Sequence, residues 1–396
     1  MTPPASYLPP NRYLLHTGLF LVTLLSTSIT GAVVFIGRTI AWSASDPLFS
    51  VGGLPVTTAF LADAFMFGVA FLTFVTVHEF GHFIAARRHQ INCSLPYFIP
   101  SPLIGVGTLG AVISIRQPIP NLKKLFDVGV SGPIAGFLIV IILLIWAMVN
   151  LPPPEFMYGV GGHESIIEYI RSTGQFPNAP ISDESDGSQF ILGMTPLYWM
   201  LTQFSTNVPP LFEMYHYPLL FACWLGLFFT SLNLMPVGQL DGGHIIYSLF
   251  GPKWHSIISR AFVFVLLLSM TSGGAFILPD FLSAVLDHQT LGPISAWITL
   301  AALLVLLTQR AFGLLWWKFT LAILFIASFA LIIPSAFRWF AYFGWLPWCF
   351  LIIFLIKVDH PHVPLTHPLG SRRRLIGYLT LGIFFLCFSI KPLYTI

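Results

Sequence analysis

His78, Glu79 and His82 stand in the run His78-Glu79-Phe80-Gly81-His82. On a helix, residues four apart share a face, so the two imidazoles can bind one zinc ion together. Glu79 lies beside them without having to be a ligand, where its carboxylate can take a proton from an activated water. The alternative is a pair of interfacial histidines with a glutamate reaching for the headgroups. The stretch Ala64–Val77 ahead of the motif is apolar. It is shorter than the roughly 20 residues needed to cross a bilayer core. The three side chains are therefore expected within or at the edge of the hydrocarbon layer, where ionisable groups are costly and mark function.

Two histidines do not complete a catalytic zinc site, which commonly has three protein ligands and an open position. Asp241 is the third candidate. It lies in Asn233-Leu234-Met235-Pro236-Val237-Gly238-Gln239-Leu240-Asp241-Gly242-Gly243-His244. Pro236 and Gly238 break the helix before it. Irregular backbone at membrane depth is tolerated only when buried in protein or lining a water-filled cavity, and hydrolysis in a membrane requires such a cavity. The alternative for Asp241 is an N-cap on a helix over 242–250. His244, three residues on, is placed to orient the Asp241 carboxylate.

Composition says what must position these groups. Of 396 residues, 56% are hydrophobic and only 8% are charged, against roughly 25% charged in a soluble globular protein. Such a chain cannot cover a surface facing water, which excludes disorder, coiled coil and nucleic-acid binding. Long unbroken apolar runs exclude a porin-type barrel. The fold expected is an all-α polytopic membrane protein with about nine transmembrane helices, near 13–36, 60–88, 127–149, 217–238, 260–279, 294–310, 314–334, 338–357 and 375–392. The count falls to eight if the sixth and seventh are misdivided. Alternating these spans puts fourteen Lys and Arg on the side of the N-terminus and four (Arg38, Arg171, Arg338 and Lys391) on the other. That bias makes the first side cytoplasmic, with the HExxH end of the second span facing it. A bacterial plasma membrane fits, with a plastid membrane as the alternative.

The other face holds one long loop, 150–216, with Glu155, Glu164, Glu168, Asp183, Glu184, Asp186 and Glu213. An apolar patch at Ile166–Ile170 suggests a small amphipathic helix; the alternative is a plain connector. On the cytoplasmic face, Gly105–Ile115 is Gly-rich and then alternates. It reads as a small re-entrant β-hairpin near residues 103–117, whose edge could add an unwound substrate as a strand through Gly107, Thr108, Leu109 and Gly110. The alternative is a re-entrant loop that seals the site.

HEFGH followed by NLMPVGQLDGGH resembles the site-2 protease family of intramembrane zinc metalloproteases, whose pattern is HExxH and then NxxPxxxLDG. The stretches Gly107–Ala111, Leu125–Gly129 and Ser131–Gly136 resemble the family's segment between the catalytic span and the next. The resemblance covers about residues 60–250 and is nearest in style to bacterial and chloroplast members without a PDZ domain. It implies that His78, His82 and Asp241 hold one zinc ion and that Glu79 is the general base. It also implies that Asn233 holds the substrate backbone or steadies the oxyanion, with Pro236 in the same substrate-binding stretch. An Asn amide can do either, or can serve as interhelical glue. The implied substrate is a membrane protein with a transmembrane helix, cut near the cytoplasmic face. Three parts follow: an N-terminal span and outer loop (1–56), a catalytic core (57–250) and a C-terminal membrane bundle (251–396).

Other features carry blander readings. Arg87, Arg88, Lys123 and Lys124 are expected to set topology. His360, His362 and His367 are expected in an ordinary interfacial loop, since Pro361, Pro364 and Pro368 intervene. Asp63 reads as an interfacial or capping residue. Trp316, Trp317, Trp339, Trp345 and Trp348 read as interface anchors. Ser272-Gly273-Gly274 reads as close helix packing. Three rival functions remain: a divalent-cation transporter, an inactive metal-binding scaffold, and a membrane zinc protease with a Glu third ligand. Glu79 argues against the first, and no Glu follows Glu213 to serve the last.

Overall fold

The computed structural model describes residues 10–31, 48–51, 54–102, 105–160, 163–181, 190–204 and 207–395. Arg38, Asp183, Glu184, Asp186 and the end of the first predicted span lie outside the described residues. The chain is mostly helical and divides into two compact units. The first takes the described residues up to Ile119, with Ser131–Thr230 and Thr395; the second takes Pro120–Val130 and Ser231–Tyr394.

The first unit begins with α1 (Pro10–Gly31), a short ribbon of β1 (Phe49–Val51) and β2 (Leu54–Val56), and α2 (Thr58–Arg88). The Thr57 side chain caps α2 by accepting from the Phe60 amide at 3.1 Å, which satisfies one of the orphan donors of the first turn. Asp63, expected at a cap or interface, lies inside the helix and is buried. Arg87 and Arg88 close α2, where cations suit the carbonyl end of the dipole.

Next comes an antiparallel hairpin of β3 (Tyr97–Ser101) and β4 (Gly107–Val112). Its register runs from Tyr97 opposite Val112 to Ser101 opposite Gly107, with a shift between Phe98 and Pro100. The hairpin starts earlier than the predicted 103–117. Pro100 demotes Tyr97–Ser101 as a strand in sequence, and the irregularity beside it accommodates a residue that cannot donate to the ladder. Ser26 Oγ of α1 donates to the Gly107 carbonyl at 2.8 Å, and His16 Nδ1 lies 2.9 Å from the Pro96 carbonyl, so α1 carries the hairpin.

The helix α3 (Leu122–Val149) crosses from the second unit into the first. The segment after it holds a 3₁₀ turn (Pro154–Gly159), α4 (Glu164–Thr173) and α5 (Pro196–Thr202), then leads to α6 (Pro218–Asn233). Ile166 and Ile170 are buried on one face of α4, so the apolar patch is a helix rather than a plain connector.

Glycines and aromatics knit α2 to its neighbours. Phe67 stacks on Phe221 and Phe71 meets Phe229 edge-on, each at 5.4 Å between ring centroids. A Cβ on Gly226 of α6 would lie 2.5 Å from a Val140 methyl of α3. Close approach through small residues is how helices gain packing where no hydrophobic force drives them together.

The second unit contains α7 (Asp241–Leu286), α8 (Leu291–Phe312), α9 (Trp316–Ile332), the short α10 (Pro334–Arg338), α11 (Leu346–Phe350, prolonged by a π-helical Leu351–Ile356) and α12 (Ser371–Cys387). Gly251 (φ 80°) breaks α7 immediately before Pro252. Gly273 and Gly274 lie against Tyr342, Phe343 and Leu300, the close packing expected of that stretch. Trp345 is not the anchor predicted. It is 1% exposed, stacks on Phe388 and donates its indole N–H to the Ile390 carbonyl at 3.1 Å. Arg373 in the first turn of α12 makes a two-pronged pair with Asp127 in the first turns of α3, both bonds 2.8 Å.

Among the described residues, six helical stretches are long and apolar enough to cross a membrane: 12–31, 60–88, 122–149, 241–286, 291–332 and 334–356. Pro218–Asn233 is apolar but shorter. The predicted span 294–310 and nearly all of 314–334 fall within the single stretch 291–332.

Candidate metal centre

His78 and His82 project from one face of α2, both buried. Their Nε2 atoms are 3.1 Å apart and their rings meet nearly edge to face, 4.8 Å between centroids. Two nitrogens each about 2.0–2.1 Å from one tetrahedral ion lie about 3.3 Å from each other. The pair therefore has the spacing of two ligands of one metal. Glu79 is half-buried beside it.

The space for the pair comes from α3. A Cβ on Gly132 would fall on the His82 imidazole, and one on Gly136 would sit 3.1 Å from His78 Nδ1. Gly81 reciprocates: its Cβ would lie 2.5 Å from the Ser131 carbonyl oxygen. The stretch Ser131–Gly136 thus forms a glycine cradle over the histidines, and a metal-ligating pair fits it.

The second unit holds the remaining predicted site residues. Asn233 ends α6, Pro236 lies in the following turn, and Asp241 is the first residue of α7. Leu240 occupies the cap position, without a side-chain cap bond, so Asp241 does not play the N-cap role that was its alternative. Gly238 has φ +54°, and its N–H donates to the Val358 carbonyl at 3.1 Å. Its Cβ would strike the Lys357 carbonyl. Ser259 Oγ donates to the Pro236 carbonyl at 2.8 Å. Gly242 and Gly243 press directly on the backbone of 234–238. These contacts fix the turn that presents Asp241.

A histidine group stands behind that turn. His244 Nδ1 lies 2.7 Å from His360 Nε2, and His360 Nδ1 lies 2.6 Å from the Pro361 carbonyl. A carbonyl can only accept, so His360 Nδ1 carries a hydrogen and a neutral His360 takes its second bond from His244 Nδ1–H. His360 also stacks on Tyr247, whose hydroxyl meets the Val363 amide at 3.2 Å. Burial pushes the His360 imidazole below the usual histidine range, opposed by its bond to the Pro361 carbonyl. His360 was expected in an ordinary loop. It lies 116 residues from His244, and no local spacing announces the contact.

The hairpin residues differ in what they present. Gly107 is buried against Ser26 and Thr27. The Thr108 hydroxyl is used inside the hairpin, donating to the Ile99 carbonyl at 2.9 Å and accepting from the Gly110 amide at 3.0 Å. Leu109 is exposed, and a Cβ on Gly110 (φ +92°) would meet nothing within 4 Å.

The sequence model of peptidase family M50 matches residues 66–270, more than half of the chain. The chain belongs to peptidase family M50. The match spans the cradled histidine pair and the Asp241 turn. Among curated proteins, this M50 chain is 30% identical over 185 residues to "Probable zinc metalloprotease EGY2, chloroplastic" of Oryza sativa subsp. indica, covering 47% of the chain and 29% of that protein. It is 28% identical over 193 residues to the Arabidopsis thaliana protein of the same description, covering 49% and 30%. It is 31% identical over 194 residues to "Probable zinc metallopeptidase EGY3, chloroplastic" of Arabidopsis thaliana, covering 49% and 31%. The matched part of the chain spans less than a third of the length of these relatives. No solved structure matches the chain.

Proposed function

We propose that this M50 chain is an intramembrane zinc endopeptidase that cuts a peptide bond within or near a transmembrane segment of another membrane protein. The observation that carries the reading is the buried His78–His82 pair, cradled by Gly132 and Gly136 on an apolar helix with Glu79 beside it. The names of the chloroplast relatives support it.

His78, His82 and Asp241 are the residues assigned to hold one zinc ion. Zinc, when bound, polarises a carbonyl and makes water a competent nucleophile near neutral pH. Glu79 takes the proton of the attacking water on its carboxylate and passes it to the leaving amide nitrogen as the C–N bond breaks. Asn233 offers its amide to the oxyanion or to the substrate backbone. A helical peptide bond is shielded by its own hydrogen bonds, so the substrate must be extended first. Among the described strands β4 pairs only with β3, and we assign its other edge, around Leu109 and Gly110, to hold the unwound segment. Pro236 is assigned to substrate binding as well.

Nine spans remain the topology we favour, since each of the nine predicted stretches overlaps a helix. The bias of Lys and Arg puts the N-terminus and the HExxH end of α2 on the cytoplasmic side. A bacterial plasma membrane is the assignment that bias supports, and a plastid membrane is the one the relatives' names support.

The test is metal content and cleavage on one purified detergent sample, for wild type and Glu79→Gln. Zinc in both, with cleavage of a transmembrane substrate lost only in the variant, supports the protease. Zinc in both without cleavage, together with zinc flux in liposomes, would replace it with a transporter.

A further inference from the structure

His163, Glu213 and His216 converge in the first unit, in the segment between α3 and α6. Each offers one ligand atom, and these atoms all lie within 4.8 Å of one another. His163 immediately precedes α4, and its side chain makes no capping bond to that helix. Glu213 precedes and His216 ends a 3₁₀ turn (Met214–His216) just before α6 begins at Pro218. Glu213 is fully buried, and His216 nearly so at 2% exposure. From these we infer a second metal site, for a divalent transition metal of the zinc class, that staples α4 to the start of α6.

The spacing is that of a coordination shell. His216 Nε2 is 3.1 Å from His163 Nε2 and 3.5 Å from Glu213 Oε2. His163 Nδ1 is 3.5 Å from Glu213 Oε1. Ligand atoms each about 2.0–2.1 Å from one tetrahedral ion are about 3.3 Å apart. Hydrogen bonds from nitrogen to oxygen centre on about 2.9–3.0 Å. A single imidazole nitrogen also carries at most one hydrogen, so His216 Nε2 cannot donate to both neighbours it faces. One cation bound by His163 Nε2, His216 Nε2 and a Glu213 carboxylate oxygen satisfies both approaches at His216 Nε2; an imidazole gives one ion only one nitrogen, so His163 Nδ1 stays outside that shell.

Charge points the same way. A carboxylate buried in a protein interior costs several kcal/mol unless a counter-charge accompanies it. A divalent cation removes that cost. Two nitrogens and one carboxylate oxygen suit zinc and its first-row neighbours better than calcium or magnesium, which prefer all-oxygen shells.

The site is separate from the His78 pair. That pair faces Gly132 and Gly136 of α3, whereas this segment leaves α3 at Val149, roughly 20 Å of helix rise beyond Gly136. Arg171 of α4 lies over the Tyr158 ring, joining α4 to the 3₁₀ turn at 154–159. A metal at His163 would fasten this pair of helices to α6 across fifty residues of chain.

The experiment uses the untagged full chain in detergent, stripped by chelator and titrated with zinc alone. A His78→Asn/His82→Asn background silences the other site, so the result does not depend on the protease reading. The expected outcome is about one zinc per chain, with nitrogen and oxygen neighbours in X-ray absorption and no sulfur. His216→Asn in that background should lose it. His163→Asn, at the more accessible position, should weaken binding by at least about tenfold with circular dichroism unchanged. It keeps the test decisive if His216→Asn fails to fold. Absence of zinc from the background, or equal zinc affinity after His163→Asn, overturns the site.

Discussion

Gly132 faces the His82 imidazole with no room for even a methyl group between them. The metal-binding face of α2 is therefore shaped by α3, and the first prediction concerns that contact. Gly132→Ala should push His82 out of register with His78. Zinc affinity at that pair and cleavage should each fall by at least about tenfold, with the helical content retained. Gly18→Ala, where a Cβ meets nothing within 4 Å, is the control and should be neutral or slightly stabilising. Calorimetric zinc titration of both variants, in a His163→Asn/His216→Asn background, checks this.

Gly238 combines φ +54° with a carbonyl in the space a side chain would take. Gly238→Ala should destabilise the chain by about 1–3 kcal/mol from backbone strain alone. It should also disturb the turn that presents Asp241. The expected reading is a lower unfolding midpoint in mixed detergent together with weaker zinc binding. An unchanged midpoint would show that the turn yields easily.

His360 gives a pH dependence with a definite sign. His244, His255 and Tyr247 face its ring, with Asp359 and Arg260 paired alongside. Its imidazole sits below the usual histidine range because it is buried. The stability this neutral form contributes is fully present above the unfolded value of about 6.5. It is lost as pH falls from there through the lowered folded value. The thermal midpoint should drop between pH 7 and pH 5, and His360→Gln should drop less. Parallel pH profiles of the two proteins would contradict the assignment.

Asp127 and Arg373 form a partly exposed two-pronged pair between α3 and α12. Solvent screening limits its worth, so the coupling in a double-mutant cycle of Asp127→Asn and Arg373→Gln should be about 0.2–1 kcal/mol. Unfolding midpoints of the four proteins measure it.

Much of this was legible in sequence because it is local. HExxH needs only a helix to bring His78 and His82 together, and long apolar runs announce helices directly. Ile166 and Ile170 show four-residue spacing, and α4 forms there. What was not legible depends on segments far apart in the chain. His360 meets His244, Arg373 meets Asp127, and Trp345 is buried against Phe388; no spacing rule carries such pairings. The first hairpin strand hid behind Pro100, whose usual meaning is reversed by a neighbouring irregularity. The cluster of His163, Glu213 and His216 was split by fifty residues and read only as part of an acidic loop.

The strap formed by Lys357, Val358, His360 and Val363 bears on how the protein can be shortened. The family match ends at residue 270, so a fragment trimmed to that boundary would retain every recognisable motif. It would lack the backbone acceptor of Gly238 and the ring that meets His244. Such a fragment would look complete to a motif search and yet hold Asp241 on an unsupported turn. Minimal versions of this protein should keep the chain through Val363.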